Sequence, residues 1–313
     1  MALSVPFAVP ARFAEGQRRY EGDAGAAFVA AAPAMAARRL ERWSLRPDGS
    51  VRHGVAALVL PVRKTNGERA VLKVQLRTQE TADEGAALRA WDGDGAVRVL
   101  GEGVEEVAGT GSATGAGTGF EVSWLLLERV NPVRDLNGVP DMRAALSPLA
   151  ALLARLTAVR APAGLRRLDD VADDLLLRAK KAAARDAATR ALIADCAAAL
   201  RDVRSEGPCG ERLLHWDLHF GNVLAARREP RLAIDPKPLS GAPAFDLLPA
   251  LANRYDPTDT ARRFAALAEA IGADRERAAA WTRGRVLQAV LWEVEAGREV
   301  AGLWGELAGA IGG

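Results

Sequence analysis

The chain has 313 residues, of which 49% are hydrophobic and 26% charged, and its formal net charge is +2. This composition is typical of a folded globular protein and excludes a disordered or fibrous chain. A near-neutral balance with no block of Lys or Arg provides no electrostatic surface for nucleic acid. The two cysteines, Cys196 and Cys209, are too few for a disulfide framework, which favours a reducing cytoplasm.

The N-terminal stretch MALSVPFAVPARF has no basic residues ahead of its apolar part, so we do not expect a secretory signal. No apolar run approaches the roughly 18 residues that a membrane helix needs. We therefore expect a cytoplasmic, monomeric protein with neither a membrane nor a nucleic-acid partner.

The first part of the chain is predicted to be rich in strands. An Asn-Gly turn within 64–68 separates the first two, which indicates a β-hairpin. Residues 81–91 are predicted to form a helix, in which Thr81 and Glu84 have the spacing of a capping box. The predicted strands are VAALVLPV (55–62), AVLKVQL (70–76), VRVL (97–100) and EVSWLLLE (121–128).

The stretch VAGTGSATGAGTG (107–119) is rich in glycine and could be taken for a phosphate-binding loop. It has neither the Lys after a final Gly of one class of phosphate loop nor the G-x-G-x-x-G of another, and it lacks the strand-to-helix context of both. A flexible hairpin tip or inserted linker is the favoured interpretation, and a ligand loop is the alternative.

Beyond residue 140 the apolar residues recur with helical periodicity. Strands followed by helices predict an α+β protein rather than alternating βαβ units. We expect a β-rich N-lobe at 1–130 that covers a nucleotide and a mainly helical C-lobe at 131–313. The predicted helices are 142–159, 171–184, 186–203, 246–254, 259–272 and 274–295.

The segment HWDLHFGN (215–222) contains two of the three histidines of the chain, His215 and His219. One hypothesis is a zinc site held by these imidazoles. On a helix the two would share a face, but the following Gly221 and Asn222 argue against a helix, and no further zinc motif accompanies them.

The other hypothesis is a phosphoryl-transfer loop, which needs one Asp beside the attacking hydroxyl and an Asn and a second Asp on Mg²⁺. Asp217 and Asn222 provide the first two. Asp235 in LAIDP follows a predicted hairpin, 235 − 217 = 18 positions after Asp217. Oxygen ligands of this kind suit a hard cation.

Such an enzyme also needs a Lys for the nucleotide phosphates, held by a Glu on a helix. Lys73 lies within the strand AVLKVQL, and Glu84 follows 84 − 73 = 11 positions later on the predicted helix. The alternatives are a lysine that protects an edge strand and a glutamate that completes a capping box with Thr81. The order Lys, Glu, Asp, Asn, Asp favours the phosphoryl-transfer hypothesis.

Taken together, these motifs resemble the protein-kinase-like superfamily. Within it the chain is most similar to the aminoglycoside phosphotransferase family, in its streptomycin 6-kinase and hydroxyurea phosphotransferase branch. The resemblance implies a bilobal kinase fold, ATP and Mg²⁺ as cofactors, and phosphorylation of a hydroxyl of a small antibiotic. The motifs are W-S-L-x-x-D-G (43–49), VLKV (71–74), E-x-x-A-L-R-x-W-x-G-x-G-A-V-R (84–98), LLLER (125–129), HWDLHFGNVLA (215–225), AIDPKPLSGAPAFDLLP (233–249) and D-R-E-R-x-x-x-W (274–281).

The resemblance also implies roles for single residues. Asp217 would accept the proton of the acceptor hydroxyl. Independently of the resemblance, Lys237 lies two positions after Asp235 and would neutralise transition-state charge or remain a solvated lysine. His215 and Asp246 would brace the catalytic loop, while the role of His219 stays open. For the cofactors the implied residues are Lys73, Glu84, the backbone of Glu128 and Val130, and Gly54 for ATP, with Asn222 and Asp235 for Mg²⁺.

Only 246 − 235 = 11 positions separate Asp235 from Asp246, which leaves no room for the activation segment of a protein kinase and favours a small acceptor. Aminoglycosides are polycations, so carboxylates are expected around them. The acceptor-binding candidates are His219, Asp256, Asp259, Glu293 and Glu295. Asp169, Asp170, Asp173 and Asp174 are interpreted as a solvated helix face, with cation recruitment as the alternative.

The leading hypothesis is thus an enzyme that transfers phosphate from ATP to an antibiotic, most similar to a streptomycin 6-kinase that confers resistance. The alternatives are a kinase of another small acceptor, such as hydroxyurea or a host metabolite, and a pseudokinase that binds nucleotide only.

Overall fold

The protein is described by a computed structural model that covers residues 7–107 and 119–312. The glycine-rich stretch interpreted as a hairpin tip or linker lies outside the described residues except at its two ends, as does the start of the N-terminal segment. The described residues divide into two compact units. The first lies within 1–93 and 97–129, and the second within 94–96 and 130–313.

The first unit is built on an antiparallel sheet in the order β1-β3-β4-β6-β5, with β2 paired to β3. The strand β4 is central, because it pairs with β3 on one side and β6 on the other. The fifth strand begins near the predicted one but continues to Val107. The strands are β1 Arg46–Pro47, β2 Arg52–His53, β3 Ala57–Arg63, β4 Arg69–Leu76, β5 Val99–Val107 and β6 Phe120–Glu128.

A long helix, α1 (Ala11–Arg42), packs against one face of this sheet, and its Phe13 and Phe28 belong to the same buried cluster as Leu72 of β4. The sequence pattern predicts no helix here, since small alanines fill most of its apolar positions. Alanine nevertheless has the highest helix propensity. The helix is interrupted at Gly22, whose φ of 58° is a left-handed conformation that glycine adopts without strain.

The second helix, α2 (Glu84–Trp91), begins three residues later than predicted. The predicted capping box is wrong, because no side chain caps this helix. The Thr81 hydroxyl instead donates to the Leu76 carbonyl at 2.5 Å and accepts from the Thr78 amide at 2.8 Å. Thr81 therefore closes the turn that follows β4, and Glu84 is left for another contact.

The second unit is mainly helical, as the sequence predicts. Three of its helices begin with an Asp whose side chain accepts a backbone N–H of the first turn, namely Asp141, Asp186 and Asp274. The last helix lies in a glycine-containing segment that the periodicity does not identify. The helices are α3 Met142–Thr157, α4 Leu168–Lys181, α5 Ala187–Ser205, α6 Leu248–Ala252, α7 Thr260–Ala270, α8 Arg275–Glu295 and α9 Gly302–Ile311.

Two small antiparallel sheets carry the HWDLHFGN segment within the second unit, in the orders β10-β9-β7 and β11-β8. The predicted hairpin between Asn222 and Asp235 is the β9–β10 pair. Short 3₁₀ helices cover Phe220–Asn222 and Pro243–Asp246. The strands are β7 Asn131–Asp135, β8 Arg212–Leu214, β9 Val223–Ala225, β10 Arg231–Ala233 and β11 Leu239–Gly241.

The mixed architecture, with a β-rich first part and a helical second part, confirms the predicted α+β class. Within the described ranges, 7–107 and 119–312, no helix combines the length and the apolar character that crossing a bilayer would require.

Candidate active site

The first unit holds a buried ion pair at the positions predicted for nucleotide contact. Lys73 Nζ lies 2.7 and 2.6 Å from the two carboxylate oxygens of Glu84, and Gln75 Nε2 donates to the same carboxylate at 2.7 Å. Lys73 and Glu84 are 5% and 1% exposed. Because β4 is central in the sheet, the alternative of an edge-strand lysine is wrong. The pair joins the middle of β4 to the first residue of α2.

The second unit holds the catalytic-loop candidates around a fully buried His215. Its backbone N–H donates to Asp246 Oδ2 at 2.8 Å. Its ring lies between the Ile234 carbonyl, 3.0 Å from Nε2, and the Asp217 backbone N–H, 3.3 Å from Nδ1. Burial lowers the pKa of His215 to about 3, so the ring is neutral at pH 7. The contacts require the proton on Nε2, and they support the bracing role that the resemblance implies for His215.

The zinc hypothesis fails on the same contacts. His215 Nδ1 accepts from the backbone of Asp217, and His219 Nδ1 accepts from the Gly221 backbone N–H at 3.0 Å. Each ring thus uses a nitrogen lone pair within its own loop, where a zinc site would need it for the metal. In the described parts of the chain no three His, Cys, Asp or Glu side chains come together as a metal cluster.

Asp217 follows Trp216, whose φ of 61° is uncommon for a residue with a side chain, and Asp217 is itself partly exposed. One carboxylate oxygen, Oδ2, lies 3.5 Å from Lys237 Nζ, and the two side chains are 26% and 34% exposed. Burial raises the pKa of Asp217, and the nearby Lys237 charge opposes that rise. The backbone N–H of Lys237 donates to the His215 carbonyl at 3.0 Å, which fixes the lysine beside the loop. A carboxylate of raised basicity beside a cation is suited to proton acceptance.

The two candidate metal ligands are brought to the same end of the β9–β10 hairpin. Asn222 Nδ2 donates to the Asp217 carbonyl at 2.9 Å, which turns the amide oxygen to the opposite side. The Asn222 carbonyl accepts the Ile234 N–H at 2.9 Å, so Asp235 follows directly. Asp235 has a φ of 61°, an uncommon conformation for a residue other than glycine. An amide oxygen and a carboxylate fit a hard cation such as Mg²⁺.

Asp246 lies under the loop rather than in it. It is 1% exposed, and burial raises its pKa to about 7 against the effect of the hydrogen bond from His215. It stands in the 3₁₀ helix Pro243–Asp246, next to α6. Its contact with the His215 backbone supports the bracing role that the resemblance implies.

The other residues predicted to contact the nucleotide, Gly54, Glu128 and Val130, lie in a turn or at the end of a strand. Gly54 sits in the turn between β2 and β3, where its N–H donates to the Ala57 carbonyl at 3.0 Å. A Cβ at Gly54 would meet nothing within 4 Å, so the chain itself does not require glycine there. Glu128 ends β6 and donates its N–H to the Arg98 carbonyl at 2.9 Å, and Val130 follows that strand.

The carboxylates proposed for the acceptor have local partners. Asp259 accepts two bonds from Arg262, at 2.5 and 2.7 Å, which lower the pKa of Asp259. Glu295 accepts two bonds from Arg178, at 2.8 and 2.7 Å, Glu293 pairs with Arg298, and Asp256 accepts from Thr258. The charge that would attract a polycation is therefore largely neutralised at three of the four.

The acidic segment on α4 shows the same pairing. Asp169 contacts Arg167 and Arg204 and accepts the Cys209 N–H, while Asp174 contacts Arg178. These contacts support the interpretation as a helix face with acids near its N-terminus, rather than cation recruitment.

A group of buried residues that no sequence motif identifies lies behind the predicted catalytic loop. Trp216 is 3% exposed, and the guanidinium groups of Arg166 and Arg285 both pack over its ring. Burial raises the pKa of both Asp217 and Asp246, and the Arg285 charge opposes each rise. The one available signal is an arginine at the start of the mostly apolar stretch RVLQAVLW (285–292) of α8, and this stretch does not indicate a partner.

Comparisons with known proteins bear on this arrangement. The model of a family described as aminoglycoside/hydroxyurea antibiotic resistance kinase matches residues 42–297. A hydroxyurea phosphotransferase of Kitasatospora aureofaciens is 52% identical over 297 residues, covering 94% of this chain and 82% of that protein. A streptomycin 6-kinase of Streptomyces glaucescens is 45% identical over 307 residues, covering 95% of this chain and 94% of that one.

Solved structures show the same fold at low identity. An amicoumacin kinase in complex with AMP-PNP, Ca²⁺ and Ami has a TM-score of 0.56 at 14% identity, covering 84% of this chain and 86% of that chain. A thermostable mutant of aminoglycoside phosphotransferase APH(4)-Ia, in complex with ADP and hygromycin B, has a TM-score of 0.53 at 16% identity, covering 88% and 94%. The family match and the curated relatives, each spanning most of the chain, establish that this protein belongs to the aminoglycoside/hydroxyurea antibiotic resistance kinase family.

Proposed function

We propose that the protein transfers the γ-phosphoryl group of ATP to a hydroxyl of a small antibiotic, of the streptomycin type, at the 6-hydroxyl. The observation that carries the proposal is Asp217, a carboxylate of raised pKa that lies 3.5 Å from Lys237 on a loop fixed by His215. A base and a cation at one point are what hydroxyl phosphorylation needs.

In the proposed reaction Asp217 orients the acceptor hydroxyl and accepts its proton. A bond forms between the acceptor oxygen and the γ-phosphorus, the bond to the bridging β–γ oxygen breaks, and ADP leaves. Lys237 lies beside Asp217 and is suited to neutralising the charge that develops on the transferred group.

We further propose contacts for the nucleotide. Lys73, kept in place by Glu84, would contact its phosphates, Gly54 would lie in the loop that covers them, and the backbone of Glu128 and Val130 would meet adenine. Asn222 and Asp235 would hold Mg²⁺. The ion neutralises charge on the β- and γ-phosphates when it is bound.

On this proposal residues 1–130 form the nucleotide-covering lobe and residues 131–313 the lobe with the catalytic loop and the acceptor site. His219 binds Gly221 within the loop, which supports a bracing role over acceptor contact. We further propose that the protein works in the cytoplasm as a monomer.

A second acceptor deserves equal testing, because the relatives point two ways. The hydroxyurea phosphotransferase is the more similar by identity, at 52% against 45%. The streptomycin 6-kinase matches more completely, with 94% of its own length covered against 82%. Hydroxyurea is neutral and needs no carboxylates, and arginines already pair with three of the four candidate carboxylates here.

The test is a panel of acceptors with γ-labelled ATP, comprising streptomycin, other aminoglycosides and hydroxyurea. We expect label on streptomycin, at the 6-hydroxyl by NMR of the product. Asp217→Asn should lower kcat by about 10³-fold with little change in nucleotide affinity, because it removes the base alone. Label on hydroxyurea alone would select the second acceptor. Turnover that survives in Asp217→Asn would overturn the mechanism, and nucleotide binding without any transfer would indicate a pseudokinase.

A further inference from the structure

The residue immediately before the proposed base is held in a strained conformation. Trp216 has a φ of 61°, which a residue with a side chain rarely adopts. Such a backbone persists only where the surrounding structure over-determines it, and it often does so at functional sites. The question is which groups keep Trp216, and with it Asp217, in place.

Two guanidinium groups pack over the Trp216 ring. The central carbon of Arg166 lies 4.1 Å from the ring centroid, and that of Arg285 lies 5.1 Å from it. Arg285 Nη2 also donates to the Trp216 carbonyl over 3.5 Å, at the limit of a hydrogen bond. Arg285 therefore contacts both the side chain and the backbone of the strained residue.

Arg285 is itself held in place by a hydrogen bond and by neighbouring aromatic rings. It lies in the middle of α8 and is 9% exposed. Its Nη1 donates to Gln288 Oε1 at 2.5 Å, and its guanidinium lies 5.9 Å from the Phe245 ring centroid and 5.4 Å from that of Trp292. Burying a cation is costly, and an apolar side chain would fill the same space without that cost. Packing alone therefore does not account for a charged, planar side chain at position 285.

We propose that Arg285 is a positioning residue for the transfer reaction: it holds Trp216 in its left-handed conformation, so that the Asp217 carboxylate faces the acceptor hydroxyl. The proposal rests on the role of Asp217 proposed above. Arg166 also packs over the ring, and Arg285 contacts the Trp216 carbonyl as well as the ring. Its cationic charge also opposes the effect of burial on the pKa of Asp246, which binds the same loop.

The experiment compares Arg285→Met with Arg285→Lys and with Arg283→Met. Arg283 lies two positions earlier on the same helix and donates to the Ala308 carbonyl of α9 at 3.2 Å. Steady-state kinetics are measured well below each melting temperature, with the acceptor that gives the highest turnover. Acceptor-free hydrolysis of ATP, in which water replaces the hydroxyl, provides a second readout.

We expect Arg285→Met to lower kcat by about 100-fold, the loss expected when a reacting group is misplaced by about 1 Å. The KM values for ATP and acceptor should stay within about twofold, because binding contacts are intact. Arg285→Lys keeps the charge but not the planar stack on Trp216. Its kcat should lie between that of Arg285→Met and that of the unaltered enzyme. Arg283→Met should lower the melting temperature while leaving kcat unchanged.

A purely structural Arg285 would give a lower melting temperature with an unchanged kcat, and this outcome overturns the proposal. If Arg285→Met does not fold, Arg285→Lys decides: a kcat equal to that of the unaltered enzyme rejects the positioning role. The combined variant Asp217→Asn/Arg285→Met separates the two proposals. Loss beyond that of Asp217→Asn alone would show that Arg285 does not act through Asp217, whereas full turnover in Asp217→Asn itself would reject the proposed role of Asp217 as the base.

Discussion

His215 and Asp246 share a hydrogen bond beneath the catalytic loop, and burial shifts their pKa values in opposite directions. The pKa of His215 falls from 6.5 to about 3 on folding, so its effect on stability is lost as pH falls between these values. The pKa of Asp246 rises from 3.8 to about 7, so its effect is lost as pH rises between these. The two contributions oppose one another across the mildly acidic range.

Replacing Asp246 removes its contribution to the pH dependence of stability. The difference between the variant and the unaltered protein therefore measures that contribution. In Asp246→Asn the side-chain oxygen can still accept the His215 N–H, but no proton is taken up. Relative to the unaltered protein, the free energy of unfolding of Asp246→Asn should therefore rise between about pH 4 and pH 7, by about 4 kcal/mol at most. Urea denaturation at several pH values measures this difference.

The control for this pH series is Asp259→Asn. The hydrogen bonds from Arg262 lower the pKa of Asp259, so its stabilising effect is complete above its unfolded value. The difference from the unaltered protein should be flat from about pH 5 to pH 7. Parallel stability curves for Asp246→Asn and the unaltered protein would contradict the buried, protonated state of Asp246.

Among the elements, the join between β4 and α2 rests on a fully enclosed ion pair. Lys73 and Glu84 have side chains only 6% and 2% exposed. Gln75, which lies on β4 like Lys73, also donates to Glu84 at 2.7 Å. Because α2 starts at Glu84 without a side-chain cap, this contact attaches the first turn of the helix to the sheet.

Glu84→Gln should be strongly destabilising, because it leaves the Lys73 charge buried without its counterion. We expect a loss of about 3–5 kcal/mol in the free energy of unfolding. The matched control is Glu102→Gln, which breaks the pair between Arg89 and Glu102, whose side chains are 49% and 47% exposed. That change should cost less than about 1 kcal/mol. Equal losses in denaturant titrations would refute the buried pair.

The 3₁₀ helix of the catalytic loop is constrained by a close approach at Gly221. A Cβ there would lie 2.9 Å from both Asn137 Nδ2 and His219 Cε1. Gly221→Ala should therefore displace His219, lower the free energy of unfolding by about 1–3 kcal/mol and reduce kcat.

Gly305→Ala is the comparison for the loop glycine. Gly305 lies within α9, where a Cβ would meet nothing within 4 Å. Alanine should raise the free energy of unfolding by about 0.5–1 kcal/mol and leave kcat as it is. A rise in the free energy of unfolding for both variants would show that the loop accommodates the methyl group.

For the molecule as a whole, the sequence predicts the parts that depend on local pattern. The helical second part follows from apolar periodicity, and the order Lys73, Glu84, Asp217, Asn222, Asp235 follows from spacing within strands and turns. Helix α1 escapes prediction because alanines weaken its periodicity. The capping box at Thr81 is wrong because Thr81 closes the preceding turn and Glu84 is drawn to Lys73.

What the sequence cannot predict depends on contacts between distant residues. Arg178 and Glu295 pair across 117 positions, and Arg285 contacts the Trp216 carbonyl across 69. No local spacing encodes such partners, since the fold brings them together. The carboxylates therefore look available to an acceptor in the sequence, whereas in the fold arginines hold three of the four.

The bonds that fix the catalytic loop nearly all use main-chain atoms. The His215 ring meets the Ile234 carbonyl and the Asp217 N–H, His219 meets the Gly221 N–H, and Asn222 meets the Asp217 carbonyl. Main-chain groups are the same in every residue, so loop side chains outside these contacts and outside the Trp216 stack can change during evolution without moving Asp217 or Asn222. On the proposed function, divergence toward a new acceptor can then proceed on the surrounding helices.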